Sequence, residues 1–190
     1  MRGLSAFVPD PNEPRATRRA DGRSTTERHV RWDEFTLAAP EPAGLGEERF
    51  RRHELCLVGT LRKNGWPRIS PVEPEFVDGE LMLGMMWQSP KAIDLLRDPR
   101  LVVHSVVSDR NGEEGDFKLY GVASAIEDPE RRAAYRASIR ARTGWEPSEP
   151  DFHVFAIRVE SAGFVTFAEP RHGLAWKPRD GVRRWTVPEP

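Results

Sequence analysis

Cysteine is almost absent from this chain: Cys56 stands alone among 190 residues. A lone thiol excludes an intrachain disulfide and any thiolate cluster, so the sequence points to a reducing compartment and reads Cys56 as a small hydrophobe buried in a strand. Long apolar runs are missing too. No stretch reaches the roughly 20 residues of a membrane-spanning helix, and the first thirty residues hold no segment of the secretory kind. The expectation is a cytoplasmic protein with no membrane partner. Charge of one sign is also lacking: 29 Lys and Arg stand against 30 Asp and Glu, a formal net charge of −1. No global field draws the chain to nucleic acid. The five histidines, His29, His53, His104, His153 and His172, show no metal-ligand spacing, so no metal site and no zinc or haem signature is expected.

What is present fits one domain. The length suffices to bury a core and leaves little room for a second. Residues 1–30 are rich in Arg, Pro, Ser and Thr without periodicity and are expected to form a mobile extension, leaving 31–190 as a single domain. The arginines of the extension are interspersed with Asp10, Glu13, Asp21 and Glu27 and have few aromatic neighbours, which argues against nucleic acid as a partner.

The most informative stretch runs from Cys56 to Pro99. Strand patterns at Leu55–Leu61, Arg68–Phe76 and Leu81–Trp87 are separated by Asn64-Gly65 and Asp78-Gly79, pairs that tolerate the positive φ of tight hairpin turns. Three neighbouring antiparallel strands are expected. A helix follows, with Ser89 as its cap, Pro90 at its first position, Ile93 and Leu96 on its buried side and Pro99 beyond its end. Helix starts offer free N–H groups and the positive end of the dipole, so the Ser89 hydroxyl and the Lys91 ammonium there complete a site for an anion such as a phosphate monoester. The same tripeptide also suits an ordinary capped helix.

Further on, Leu101–Val107 and Phe117–Ile126 read as strands, with Gly121 marking a bulge. Asp128-Pro129 opens a helix that Gly144 ends, with Ala133, Ala134, Ala137 and Ile139 toward the core and arginines on its wet face. Strands Phe152–Val159 and Gly163–Phe167 are joined through Glu160-Ser-Ala-Gly, and a last hairpin or strap carries Trp176 and Trp185 around Asp180-Gly181. Adjacent apolar positions in these strands suggest a barrel with a second surface covered by a helix or partner.

The order of Gly59-Thr60, the Asn64-Gly65 turn, Pro67-Arg-Ile-Ser-Pro-Val72, the Asp78-Gly79 turn and Ser89-x-Lys91-x-x-x-Leu95-x-x-Asp98-Pro-Arg100 resembles the FMN-binding split-barrel proteins of the pyridoxamine 5'-phosphate oxidase-like family. The resemblance covers roughly Arg31 to Phe167 and includes Trp32-Asp-Glu-Phe with Ala39-Pro-Glu41, similar to a lead-in helix of short members. It implies a mainly β, Greek-key split barrel with a few helices, and a homodimer holding FMN at the subunit interface.

By that resemblance, Ser89 and Lys91 match phosphate-holding positions, Arg68, Ser70 and Pro71 lie alongside the cofactor, and Met85 and Met86 approach the isoalloxazine edge. Trp176 is the candidate to cover the partner's flavin. Asp116, Lys118 and Tyr120 share one strand face near its pyrimidine end. Two departures stand out: Gln88 replaces a polar donor, often Arg, and Asp94 an Asn, which leaves Arg68 to supply the missing cation. The implied activity is an FMN-dependent oxidoreductase that transfers hydride or electrons through flavin N5 to or from a small-molecule substrate. The Arg-x-His signature of the true oxidase is absent. F420 as the cofactor, and a non-catalytic flavin-binding or carrier module, remain open alternatives.

Overall fold

The computed structural model describes residues 29–188. Of the N-terminal extension read from the sequence, only His29 and Val30 fall within them; the rest lies outside the described residues. Val30 already belongs to the fold, buried and bridged to Val159 through both backbone groups.

Four helices and nine antiparallel strands follow in the order α1 (Trp32–Ala38), α2 (Pro40–His53), β1 (Cys56–Leu61), β2 (Pro67–Val72), β3 (Pro74–Val77), β4 (Glu80–Met86), α3 (Pro90–Arg97), β5 (Arg100–Ser105), β6 (Asp116–Ala125), α4 (Pro129–Thr143), β7 (Phe152–Thr166), β8 (His172–Lys177) and β9 (Gly181–Thr186). The architecture is the mainly β barrel with a few helices that the sequence implies. Its strands run β2-β1-β5-β6-β7-β4-β3, with β8 and β9 continuing from β7.

The expected second strand, Arg68 to Phe76, is two strands. Pro74 has no N–H to give a ladder, so the chain leaves β1 after Val72 and begins a new ladder with β4 at Pro74. Both expected antiparallel pairings form, β2 with β1 and β3 with β4, but the split of the middle strand puts the two pairs at opposite ends of the strand order. Because only Glu73 separates β2 from β3, the sheet must curl round on itself.

A second correction concerns β7, which is one continuous strand of 15 residues rather than two strands. Its first part pairs with β4, its last part with β8, and β6 accompanies it nearly throughout. The register shifts between Tyr120 and Gly121, where Ser161 and Val159 are the successive partners and Glu160 is the extra residue of a bulge. Gly121 is required there, since a Cβ would stand 2.1 Å from the Arg158 carbonyl oxygen.

Inward-facing Val58, Val103, Leu119, Leu83 and Ile157 fill the barrel, and α1 and α2 close one end with Trp32, Phe35 and Phe50. Phe50 meets Phe117 edge-on with centroids 5.5 Å apart, a favourable aromatic geometry. Trp176 belongs to this cluster, only 2% exposed and 4.5 Å from the Phe35 centroid.

A second core lies outside the barrel wall, where Tyr135 and Ile139 of α4 pack on Val77, Met82, Ile126 and Val154. Residues four apart form one stripe of a helix, and it is the Tyr135–Ile139 stripe that is buried; Ala133 and Ala137 face solvent instead. The arginines of α4 are not simply its wet face either. Arg131 pairs with Glu80 and Arg142 with Glu75, two carboxylates of β4 and β3 that the helix buries.

Candidate cofactor site at the start of helix α3

β4 ends at Met86, and two residues turn the chain into α3. Gln88 takes a left-handed φ of 54°, held there as the Ser89 amide donates to the Met86 carbonyl at 3.1 Å and its own amide to His153 Nε2 at 3.3 Å. The His153 ring stacks on Trp87, centroids 4.5 Å apart and planes 9° from parallel. Burial holds the His153 imidazole below the usual histidine range, which keeps Nε2 free to accept.

Ser89 stands at the cap position but does not cap. Its carbonyl accepts from the Ile93 amide at 3.0 Å, yet its hydroxyl makes no bond to the first turn. The residue is 7% exposed, and Oγ has no hydrogen-bond partner. Pro90 brings no N–H, while the Lys91 and Ala92 amides lie in the first turn, which has no intrahelical acceptor for them. A buried, unpaired hydroxyl costs about 1–3 kcal/mol. The start of α3 thus gathers polar hydrogens with nothing in the chain to receive them.

Two cations approach. Lys91 Nζ lies 3.4 Å from the Pro71 carbonyl of β2. Arg68 reaches α3 from β2, its Nε 2.7 Å from Asp94 Oδ2, which also accepts from Thr60 Oγ1 at 2.9 Å. Asp94 is buried, and its second oxygen is 3.7 Å from Arg97. The carboxylate at position 94 thus fixes Arg68 beside the helix and also neutralises it. Expected apolar anchors Ile93 and Leu96 are exposed, because Ala92, Asp94 and Leu95 form the buried side.

Of the remaining candidates, Ser70 shares the partly buried face of β2 with Arg68, while Pro71 points the other way by strand alternation. Met85 is buried and Met86 is 73% exposed. Pro71, Met85, Met86 and Lys91 all border a cavity of about 640 Å³ that continues to Tyr135, Arg142 and Trp145. The sequence reading missed those last three; the signal for Trp145 was an aromatic residue directly after the helix-ending Gly144. Tyr135 lies under Gly84, where a Cβ would stand 1.9 Å from its hydroxyl, and burial, with Glu75 and Glu73 nearby, raises the phenol.

Trp176 does not join this site. Its indole packs on Phe35 and the residue is only 2% exposed, and it borders a different cleft, beside β8 and β9. Lys118 and Tyr120 border that same cleft, of about 820 Å³, and Asp116 stands 3.8 Å from both Lys118 and His104. Cys56 is buried, and burial pushes its thiol up to about 12, which fits a packing role. Among the described residues no group of three or more His, Cys, Asp or Glu is arranged to hold a metal ion, and no helix is long and apolar enough to cross a membrane.

The family profile described as pyridoxamine 5'-phosphate oxidase matches residues 46–166. The chain belongs to the pyridoxamine 5'-phosphate oxidase-like family. The matched region of this family member begins in α2, ends with β7 and includes all of β2, β4 and α3. No curated protein sequence matches it. Among solved structures, it is similar to a pyridoxamine 5'-phosphate oxidase-related, FMN-binding protein of Nostoc punctiforme, at 15% identity and a TM-score of 0.61, over 80% of this chain and 98% of that one. A Clostridium acetobutylicum protein related to general stress protein 26 of B. subtilis gives 15% identity and a TM-score of 0.56, over 78% and 97% of the two chains. A heme-binding protein of Mycobacterium smegmatis gives 23% and 0.52, over 75% of this chain and 57% of that one. Identities this low speak for the split-barrel fold alone.

Proposed function

We propose that this chain binds FMN at the start of α3 and serves as a flavin-dependent oxidoreductase. The observation that carries the reading is the Ser89 hydroxyl, buried and without a hydrogen-bond partner at a helix start whose first-turn amides have no intrahelical acceptor. A phosphate monoester is an acceptor of the right kind, and the family includes an FMN-binding relative.

The residues present fit the group. Ser89 Oγ and the amides of Lys91 and Ala92 are donors for phosphate oxygens, and the Lys91 ammonium balances their charge. Arg68 is held in a fixed orientation on β2 by Asp94, with Ser70 beside it, and its N–H groups not engaged by Asp94 remain donors, while Asp94 offsets its charge. Pro71 and Met86 offer apolar surface and shield the neighbouring ring position from water. Bound flavin supplies hydride or electron transfer at N5; the protein's part is to hold and orient it and to admit a small-molecule substrate.

A homodimer with the cofactor at the interface completes the reading. The outer sheet face presents Ile69, Val102 and Tyr120 in one row across β2, β1, β5 and β6, with Ile69 72% exposed. Ile93 and Leu96 are a second exposed apolar pair, on α3.

Equilibrium dialysis of purified protein against FMN tests the reading. Removing one charge-assisted contact of about 1.5–3 kcal/mol weakens binding about 10- to 100-fold. Lys91→Ala is expected to show that loss while keeping the folded dimer. Equal retention of FMN by Lys91→Ala and the unaltered protein would remove Lys91 from the site.

A further inference from the structure

Besides Lys91, the cavity is lined by residues that lie outside the start of α3, among them Glu73, Tyr135, Trp145 and Asp151. Its volume of about 640 Å³ suits a small molecule. The roof is unusual. Trp145 is 65% exposed, yet the loop that carries it is fastened on both sides. The Trp145 amide donates to Thr143 Oγ1 at 3.2 Å, Glu146 is 3.2 Å from Arg136, and Glu149 is 2.7 Å from Arg132. A large indole held out in solvent by a pinned loop forgoes burial that a small rotation of a free loop would recover. With exposed Met86 it makes two polarisable apolar walls around the opening.

The charges that line the cavity decide what enters. Arg142 is committed to Glu75 and Glu54. Glu73 and Asp151 also line it and form no ion pair among the described residues, against Lys91 as the one lining cation outside an ion pair there. The balance is negative even with Lys91 counted in full, and more so if a phosphate engages it.

We infer that this cavity binds a planar aromatic or heteroaromatic molecule that is neutral or positively charged, with Trp145 covering its face. Carboxylates and phosphates are disfavoured by Glu73 and Asp151. An aromatic ring under an indole gains stacking, and a cationic one gains cation–π attraction as well. Because Pro71, Met85, Met86 and Lys91 border both this cavity and the α3 site, a molecule held here is the oxidoreductase's substrate; that last step alone rests on the proposed function.

Isothermal titration of the purified protein with one ring system in three charge states tests it: 1-methylquinolinium, quinoline and quinoline-2-carboxylate. The cation is expected to bind tightest and the carboxylate at least tenfold more weakly. Trp145→Ala, at an exposed position, is expected to lower the affinity for 1-methylquinolinium about tenfold, and Trp145→Phe to keep most of it, with FMN retention unchanged in both. The inference is overturned if no probe binds saturably, if the carboxylate binds as tightly as the cation, or if Trp145→Ala binds as the unaltered protein does. These titrations need no flavin. Trp145-dependent binding of the cation by a protein that takes up no FMN would sink the flavin reading and uphold this site.

Discussion

Ser89 forgoes the hydrogen bond that a serine before a helix usually makes, and its stability cost should differ accordingly. An ordinary cap such as Asp128, whose carboxylate accepts from the Arg131 amide at 2.8 Å, loses about 1 kcal/mol on conversion to Ala. Ser89→Ala removes no bond and relieves a buried, unpaired hydroxyl, so in the cofactor-free protein it is expected to raise stability, by up to about 1–3 kcal/mol. Denaturant unfolding of both variants checks the contrast, and a full capping loss at Ser89 would show that the hydroxyl is already satisfied. His153 offers a pH test of the same turn. Burial holds its pKa below the ordinary 6.5, so its contribution is present above the unfolded value and is lost as pH falls through the lower folded one. Acidification below about pH 6.5 should protonate Nε2 and release the Gln88 amide. An NMR titration of the imidazole that gives a value above 6.5 would contradict this.

Among the elements, the turns and the two caps of α4 were legible from local chemistry, while the side-chain cap expected from Ser89 is not made. Asp78 and Gly79 both take positive φ, 49° and 75°, and α4 starts after Asp128 and ends at Gly144 as expected. These features depend on a few consecutive residues. What needed the whole fold was hidden: alternation in Arg68–Phe76 told which way side chains point but not that Pro74 hands the chain to a different neighbour. The arginines of α4 looked solvated because nothing local shows that β3 and β4 bring Glu75 and Glu80 beneath the helix. For Glu80, burial raises the carboxyl, but hydrogen bonds from Arg131 and Arg158 outweigh it and hold it below the ordinary value. Its contribution is therefore present above about pH 4.5 and fades as pH falls; Glu80→Gln should flatten the acid limb of the stability curve. At the bulge, Gly121→Ala is expected to cost about 1–3 kcal/mol through the clash with the Arg158 carbonyl. Gly44→Ala, in α2 with open space around it, should instead gain about 0.5–1 kcal/mol. Thermal unfolding of the pair tests that contrast, and equal effects would count against the bulge register.

For the whole molecule, the family and its barrel were readable because strand order and turn spacing survive even where identity falls to 15%. The candidate site was only half legible. Ser89 and Lys91 open α3 and Arg68 reaches the helix from β2 through Asp94, whereas Trp176 turns inward to Phe35, since a strap residue's face depends on which strand it pairs with. Trp145 and Tyr135 entered the picture only once α4 was seen against β4. Ile69→Glu, placing a charge in the exposed apolar row, should convert the proposed dimer to monomer in light scattering; an unchanged mass would move the interface elsewhere. The central claim is that the start of α3 is built for a phosphate, and comparing the affinities of FMN and riboflavin tests it most directly, because the two share the ring and differ in that group. The account predicts FMN tighter by about 100-fold or more, in line with several charge-assisted contacts. Equal affinities would contradict it.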